Sequence, residues 1–175
     1  MSYQRNYGVK IAQHDFLLFL DADILFDNRL LNNLLQDVLS NKLDVASTQM
    51  IPYPSEFVEK IYFYVINLFF KIFQYIKPLS FGACLFVRKE IFSSVGGFDT
   101  RLRYAEDLDL LKRLNKQKRK FKIVNIKAYF SIRRFQKCGT KKMIYTYTKT
   151  FFEYVFSDTI TVPKEYAGFN EDRHT

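Results

Sequence analysis

Five consecutive apolar residues, Phe16–Leu20 (FLLFL), run directly into Asp21-Ala22-Asp23. A continuous apolar run bounded by polar residues fits a strand covered on both faces, as in a parallel sheet. Leu30, Leu31, Leu34, Leu35, Val38 and Leu39 then recur at helical spacing, which predicts a helix over 28–40 with Asp27 as its cap. LDVASTQMI (43–51) reads as a second strand stopped by Pro52 and Pro54, and Ser55 can cap a long helix reaching about Ile76. ACLFVR (83–88) is strand-like, and a short helix from Lys89 to Val95 stops at Gly96-Gly97. A helix over 105–118 has acids first and bases last, matching the helix dipole. KFKIVNI (120–126) is a strand, and 140–156 a last amphipathic helix before a polar tail. Strands alternating with helices indicate an α/β fold with a mostly parallel sheet flanked by helices.

Asp is a poor strand former and is rarely buried without a partner, so two of them at a strand's end need a reason. Alternation along a strand places Asp21 and Asp23 on one face. In open α/β sheets the ligand crevice lies beyond the carboxyl ends of the strands. Two carboxylates there suit a hard divalent cation, Mg²⁺ or Mn²⁺; the competing reading is a plain polar loop. A second constellation lies downstream in VGGFDTRLRYAEDLDLLKRL. Gly96, Gly97 and Asp99 form a tight turn, and Glu106 and Asp107 fall in the first turn of a helix. An ionised Asp107 at a cleft can act as general base towards a hydroxyl, the alternative being ordinary first-turn acids.

Composition narrows the partners. Hydrophobic residues make up 48% of the 175, which excludes a disordered chain, and the net charge of +9 favours an anionic partner. The basic residues are scattered without a recognised nucleic-acid motif, so a nucleic-acid module is not expected. Only two cysteines occur, far apart, and the first residues (MSYQRNYG) are polar, with no signal peptide; a cytoplasmic setting is expected.

RNYGVKIAQHDFLLFLDAD (5–23), FGACLFVRKEIFSSVGGFD (81–99) and YAEDLDLLKRL (104–114), in this order, resemble the family 2 glycosyltransferases, which have the GT-A fold. The resemblance implies a transferase that moves a sugar from a nucleotide-diphosphate donor to a hydroxyl acceptor of a polysaccharide or lipid-linked glycan. It implies that Asp21 and Asp23 hold a divalent metal bridging the donor's diphosphate. Asp107 would be the base, Glu106 would help to position the acceptor, and Gly82, Ala83 and Cys84 would line the acceptor side. It also implies a preceding nucleotide-binding half that this chain lacks. The expectation is therefore the latter part of a catalytic domain over 1–137, followed by an amphipathic helix and tail over 138–175. An inactive relic or subunit, or a partner chain supplying the missing half, fits the same pattern. Where the family often carries a metal-binding His, this chain reads YFSIRRFQK, so Arg133 and Arg134 are candidates for the diphosphate oxygens. His14 precedes the strand and His174 lies in the tail; neither is placed to serve as a ligand.

FLDADILFD also resembles the first motif of the haloacid dehalogenase-type phosphatases, in which Asp21 would be nucleophile and Asp23 general acid. That motif continues with a small polar pair, whereas Ile24-Leu25 follows here. The segment 57–77 is apolar over most of its circumference, with Lys60, Asn67, Lys71 and Gln74 on one narrow stripe. Its charges argue against a membrane span. A helix lying on the cytoplasmic membrane surface, inserting residues such as Phe69 and Phe73, is expected instead, the alternative being a helix packed on the domain core or on a missing segment.

Overall fold

The computed structural model describes residues 2–25, 29–102 and 104–157. Asp27, read as a helix cap, and His174 with the polar tail lie outside them. The chain opens with helix α1 (Ser2–Ile11), strand β1 (Phe16–Leu20) and the short strand β2 (Ile24–Leu25). Helix α2 (Leu30–Ser40), strand β3 (Val45–Tyr53) and helix α3 (Phe57–Phe73) follow. Next come β4 (Cys84–Arg88), α4 (Lys89–Ser94), α5 (Glu106–Lys116), β5 (Phe121–Ser131), α6 (Arg133–Cys138) and α7 (Thr140–Ser157).

The strands form one sheet in the order β1-β4-β3-β5-β2. Only β3 and β5 run parallel; β1 with β4, β3 with β4, and β2 with β5 are antiparallel. The mostly parallel sheet expected from the apolar runs is thus corrected to a mostly antiparallel one within an α/β fold. A run such as FLLFL reports that both faces of a strand are covered, and helices cover both faces here whichever way its neighbour runs. On one face Leu17 and Phe19 pack with Val9 of α1, Ile91 and Phe92 of α4, and Leu110, Leu111 and Leu114 of α5. On the other lie α2, α3, α6 and α7, centred on Phe63, Phe70, Phe135, Met143 and Phe151.

Proline does not stop β3 where expected. Pro52 continues the strand opposite Phe130, and Ser55 turns its hydroxyl back to the Pro52 carbonyl at 2.9 Å. Glu56 caps α3 instead, in a reciprocal capping box with Glu59. Asn67 and Gln74 of the polar stripe face inward, whereas Lys60 and Lys71 stay at the surface. Asn67 exchanges two hydrogen bonds with the Met50 backbone, its Oδ1 accepting from N–H at 3.1 Å and its Nδ2 donating to the carbonyl at 2.8 Å. The Gln74 Oε1 accepts from Ile123 N–H at 2.7 Å. Glu59, buried, accepts from the Thr140 hydroxyl at 2.6 Å, fastening α7 to α3 at their first turns. Phe69 and Phe73 stack on each other and Phe69 meets Phe151 of α7 edge-on, so they join helices and do not point outward.

Asn67→Ala would strand a buried N–H and carbonyl of β3, costing roughly 2–3 kcal/mol. Urea denaturation should show that loss, whereas Asn→Ala at exposed Asn32 should leave the midpoint nearly unchanged.

Candidate active site

The first helix organises the site. Asn6 grips the backbone of Phe98, its Nδ2 donating to the carbonyl at 2.7 Å and its Oδ1 accepting from N–H at 3.0 Å. Gly97 must be bare for this: a Cβ there would come within 2.8 Å of the Asn6 Oδ1, and its φ of +71° disfavours a side chain. Beside it, Arg5 donates to the Asp21 carboxylate, lies 3.8 Å from a Glu106 oxygen and stands over the Phe98 ring at 5.3 Å. One guanidinium therefore joins the end of β1, the Gly96-Gly97-Phe98-Asp99 turn and the start of α5.

β1 ends at Leu20, but Asp21 extends its ladder by donating its N–H to the Ala83 carbonyl at 3.0 Å. Asp21 thus continues the Leu17–Phe19 row towards α1 and α5. The chain then turns, with Ile24 N–H donating to the Asp21 carbonyl at 3.2 Å. Asp23 lies exposed on this turn, beyond the strand, so turn geometry and not strand alternation brings it to the same cleft as Asp21. Burial pushes the Asp21 carboxyl above its ordinary value, and Arg5 offsets part of that.

Ala105, at φ +55°, turns the chain so that Glu106 and Asp107 open α5. The protein packed around Asp107, and next the charge of Glu106, push its carboxyl up to about 7. Gly82 closes over the same side chain. A Cβ there would fall 2.7 Å from the Asp107 Cβ and closer still to its carboxylate, and the residue sits at φ +67°. The Gly82 N–H donates to the Ser80 hydroxyl at 3.2 Å, and Ser80 pairs with Ser47 at 2.6 Å, anchoring this loop to β3.

These residues surround one cleft of about 690 Å³, within the range of small-molecule sites. Asp21, Asp23, Glu106 and Asp107 lie on its walls, as do Gly82 and Ala83 and, from the start of α6, Arg133 and Arg134. Cys84 is not brought in; its side chain is buried in the core behind the loop, and burial raises its thiol. Arg5 also lines the cleft and had no role in the sequence reading. Its signal was weak: an arginine on a short helix becomes meaningful only once that helix is placed against the strand's end.

The donor set fits a hard cation. Asp21 and Asp23 offer carboxylate oxygens on one turn, and among the described residues no three His, Cys, Asp or Glu side chains converge on a point. Two protein carboxylates with substrate phosphates and water completing the shell is how Mg²⁺ is usually held.

The family model for the glycosyltransferase-like family 2 matches residues 1–159. The chain belongs to that family. Its fold is of the GT-A type and superimposes on the mannosyltransferase PcManGT from Pyrobaculum calidifontis, solved in complex with GDP-Man and Mn²⁺. That match has a TM-score of 0.65 at 14% identity, over 95% of this chain and 46% of that one. TarS 1–349 from S. aureus, solved in complex with UDP-GlcNAc, matches with a TM-score of 0.52 at 17% identity. The overlap there is 75% of this chain and 38% of that one. The chain thus spans less than half the length of either neighbour. No curated protein matches it by sequence.

Two outcomes follow from the Gly82–Asp107 packing. Gly82→Ala should destabilise by roughly 1–3 kcal/mol, read by urea denaturation, because overpacking adds to an unfavourable φ. The second concerns pH. Folded Asp107 keeps its proton to about 7, whereas its ordinary value is 3.8, so its contribution to stability is complete below the lower value and is lost as pH rises to the upper. Asp107→Asn should abolish this loss and be the more stable protein above pH ~7, measured by thermal melting across that window.

Proposed function

We propose that this site transfers a sugar from a nucleotide-diphosphate donor to a hydroxyl of a polysaccharide or lipid-linked glycan acceptor. The observation that carries the reading is the gathering of Asp21, Asp23, Glu106, Asp107 and Arg133–Arg134 around one cleft in a chain of this family. The PcManGT complex, with its GDP-Man and Mn²⁺, and the TarS complex with UDP-GlcNAc support the donor class. The phosphatase reading has no matching support, since Ile24 after the aspartates enters β2 and is buried.

In this reading Asp21 and Asp23 hold a divalent cation, Mg²⁺ or Mn²⁺, which when bound neutralises charge on the departing diphosphate. Arg5 keeps the Asp21 carboxylate aimed at the cleft and balances the acids gathered there. Arg133 and Arg134 line the same cleft, and guanidinium groups suit phosphate oxygens. Glu106 orients the acceptor, and Asp107 takes the proton from the attacking hydroxyl as its oxygen bonds the sugar. A carboxyl held at about 7 is well matched to that task near neutral pH. Gly82 and Ala83 leave room for the acceptor against the backbone.

The test separates binding from chemistry. Calorimetry with UDP and GDP sugars in the presence of Mn²⁺ should show donor binding that weakens in Asp21→Asn and Asp23→Asn and survives in Asp107→Asn. Release of nucleoside diphosphate should fall by ~10²–10⁴-fold in Asp107→Asn. Near-normal turnover in that variant would remove Asp107 from the mechanism. Donor binding without any turnover in the unmodified chain would favour an inactive subunit.

A further inference from the structure

Helix α3 is apolar on its outer face as well as its inner one, where Phe63, Ile66 and Phe70 join the core. It buries Glu59, Asn67 and Gln74 against its neighbours, while Val58, Ile61, Tyr64, Val65, Leu68 and Ile72 are each about half exposed or more. These outward residues recur at helical spacing and form one stripe, about 25 Å long over the 17 residues of the helix, with no charged side chain within it.

The stripe widens onto α7. The two helices lie side by side: Phe69 meets Phe151 at 4.6 Å, the hydroxyls of Tyr62 and Thr148 lie 3.3 Å apart, and Lys77 reaches the Tyr154 carbonyl. Counting round α7 from that contact row, Tyr145, Phe152 and Phe156 turn to the same outer side, and they are 68%, 49% and 73% exposed. Lysines border the combined surface. Lys60 and Lys71 run along the far edge of α3, and Lys142 and Lys149 along the far edge of α7. Lys71 bonds Asn125 at 3.4 Å and Lys149 pairs with Glu153 at 3.7 Å, both contacts lying at the surface.

We infer that the outer face of α3 and α7 docks on an anionic lipid surface, with the apolar stripe at the acyl boundary and the lysine rows among the headgroups. Charge selects this occupant. A second copy of the chain would bring lysine-bordered surfaces, each on a molecule of net charge +9, together, whereas anionic headgroups neutralise them. Among the described residues no helix is long and apolar enough to cross a membrane, so the contact is one of lying on the surface. The inference stands apart from the glycosyl-transfer reading, since it uses none of the residues assigned there.

Vesicles of phosphatidylcholine with and without phosphatidylglycerol, sedimented with the full chain, test it. The chain should pellet with the anionic vesicles, less so at high salt. The triple variant I61S/L68S/I72S should stay in the supernatant while keeping its circular dichroism spectrum. Lys60→Gln and Lys71→Gln, which leave the apolar face intact, should each weaken binding roughly fivefold. No pelleting with either vesicle overturns the inference, as does equal, salt-independent pelleting with both. Self-association in sedimentation velocity that the serine variant abolishes, without vesicle binding, would instead assign the face to a second copy.

Discussion

The site hangs on the contacts of Arg5. Its guanidinium is mostly shielded, with 13% of the side chain exposed, and it faces carboxylates from two separate segments, Asp21 and Glu106. A shielded cation without its anions, or these acids without their cation, would leave charge in a poorly solvated place, which is costly. The arrangement holds only if α1 is docked, and the neighbouring Asn6 provides the docking through the Phe98 backbone. Adjacent positions on one short helix thus fix the end of β1 and the start of α5 relative to each other. The remaining features of the cleft, the Gly82 loop against Asp107 and the Arg133–Arg134 wall, are built outwards from that alignment.

Burial sets the chemistry of the two acids differently. Asp21 is raised by burial, an effect that the charge and hydrogen bond of Arg5 offset in part. Asp107 is raised first by burial and next by the charge of Glu106, which together take its carboxyl up to about 7. Two aspartates lining one cleft thus differ in what stands beside them, a guanidinium for Asp21 and a second carboxylate for Asp107.

The acids that line the cleft were legible because they sit in short, local patterns. Asp21-Ala22-Asp23 after an apolar strand, and Glu106-Asp107 opening a helix with acids first and bases last, carry their meaning within a few positions. Strand direction was not legible, since Phe16–Leu20 would be equally apolar beside a parallel or an antiparallel neighbour. The inward face of α3 was misread for a related reason. Asn67 and Gln74 are polar, but their partners are the backbones of Met50 and Ile123, distant in sequence, and spacing alone cannot reveal such bonds. Arg5 and Asn6 stayed hidden likewise, because each acts across a long sequence separation, on Asp21 and on Phe98.

β1 lies at the margin of the sheet, paired only with β4 among the described residues. Its outer backbone groups therefore have no ladder partner in that sheet. Marginal strands in natural proteins are commonly blunted by charge, proline or a bulge. Phe16–Leu20 carries none of these within its five residues. In concentrated preparations the expected failure is main-chain pairing between molecules along this strand, leading to aggregation. Such pairing would not spare the cleft, because Asp21 is the very next residue on the same ribbon.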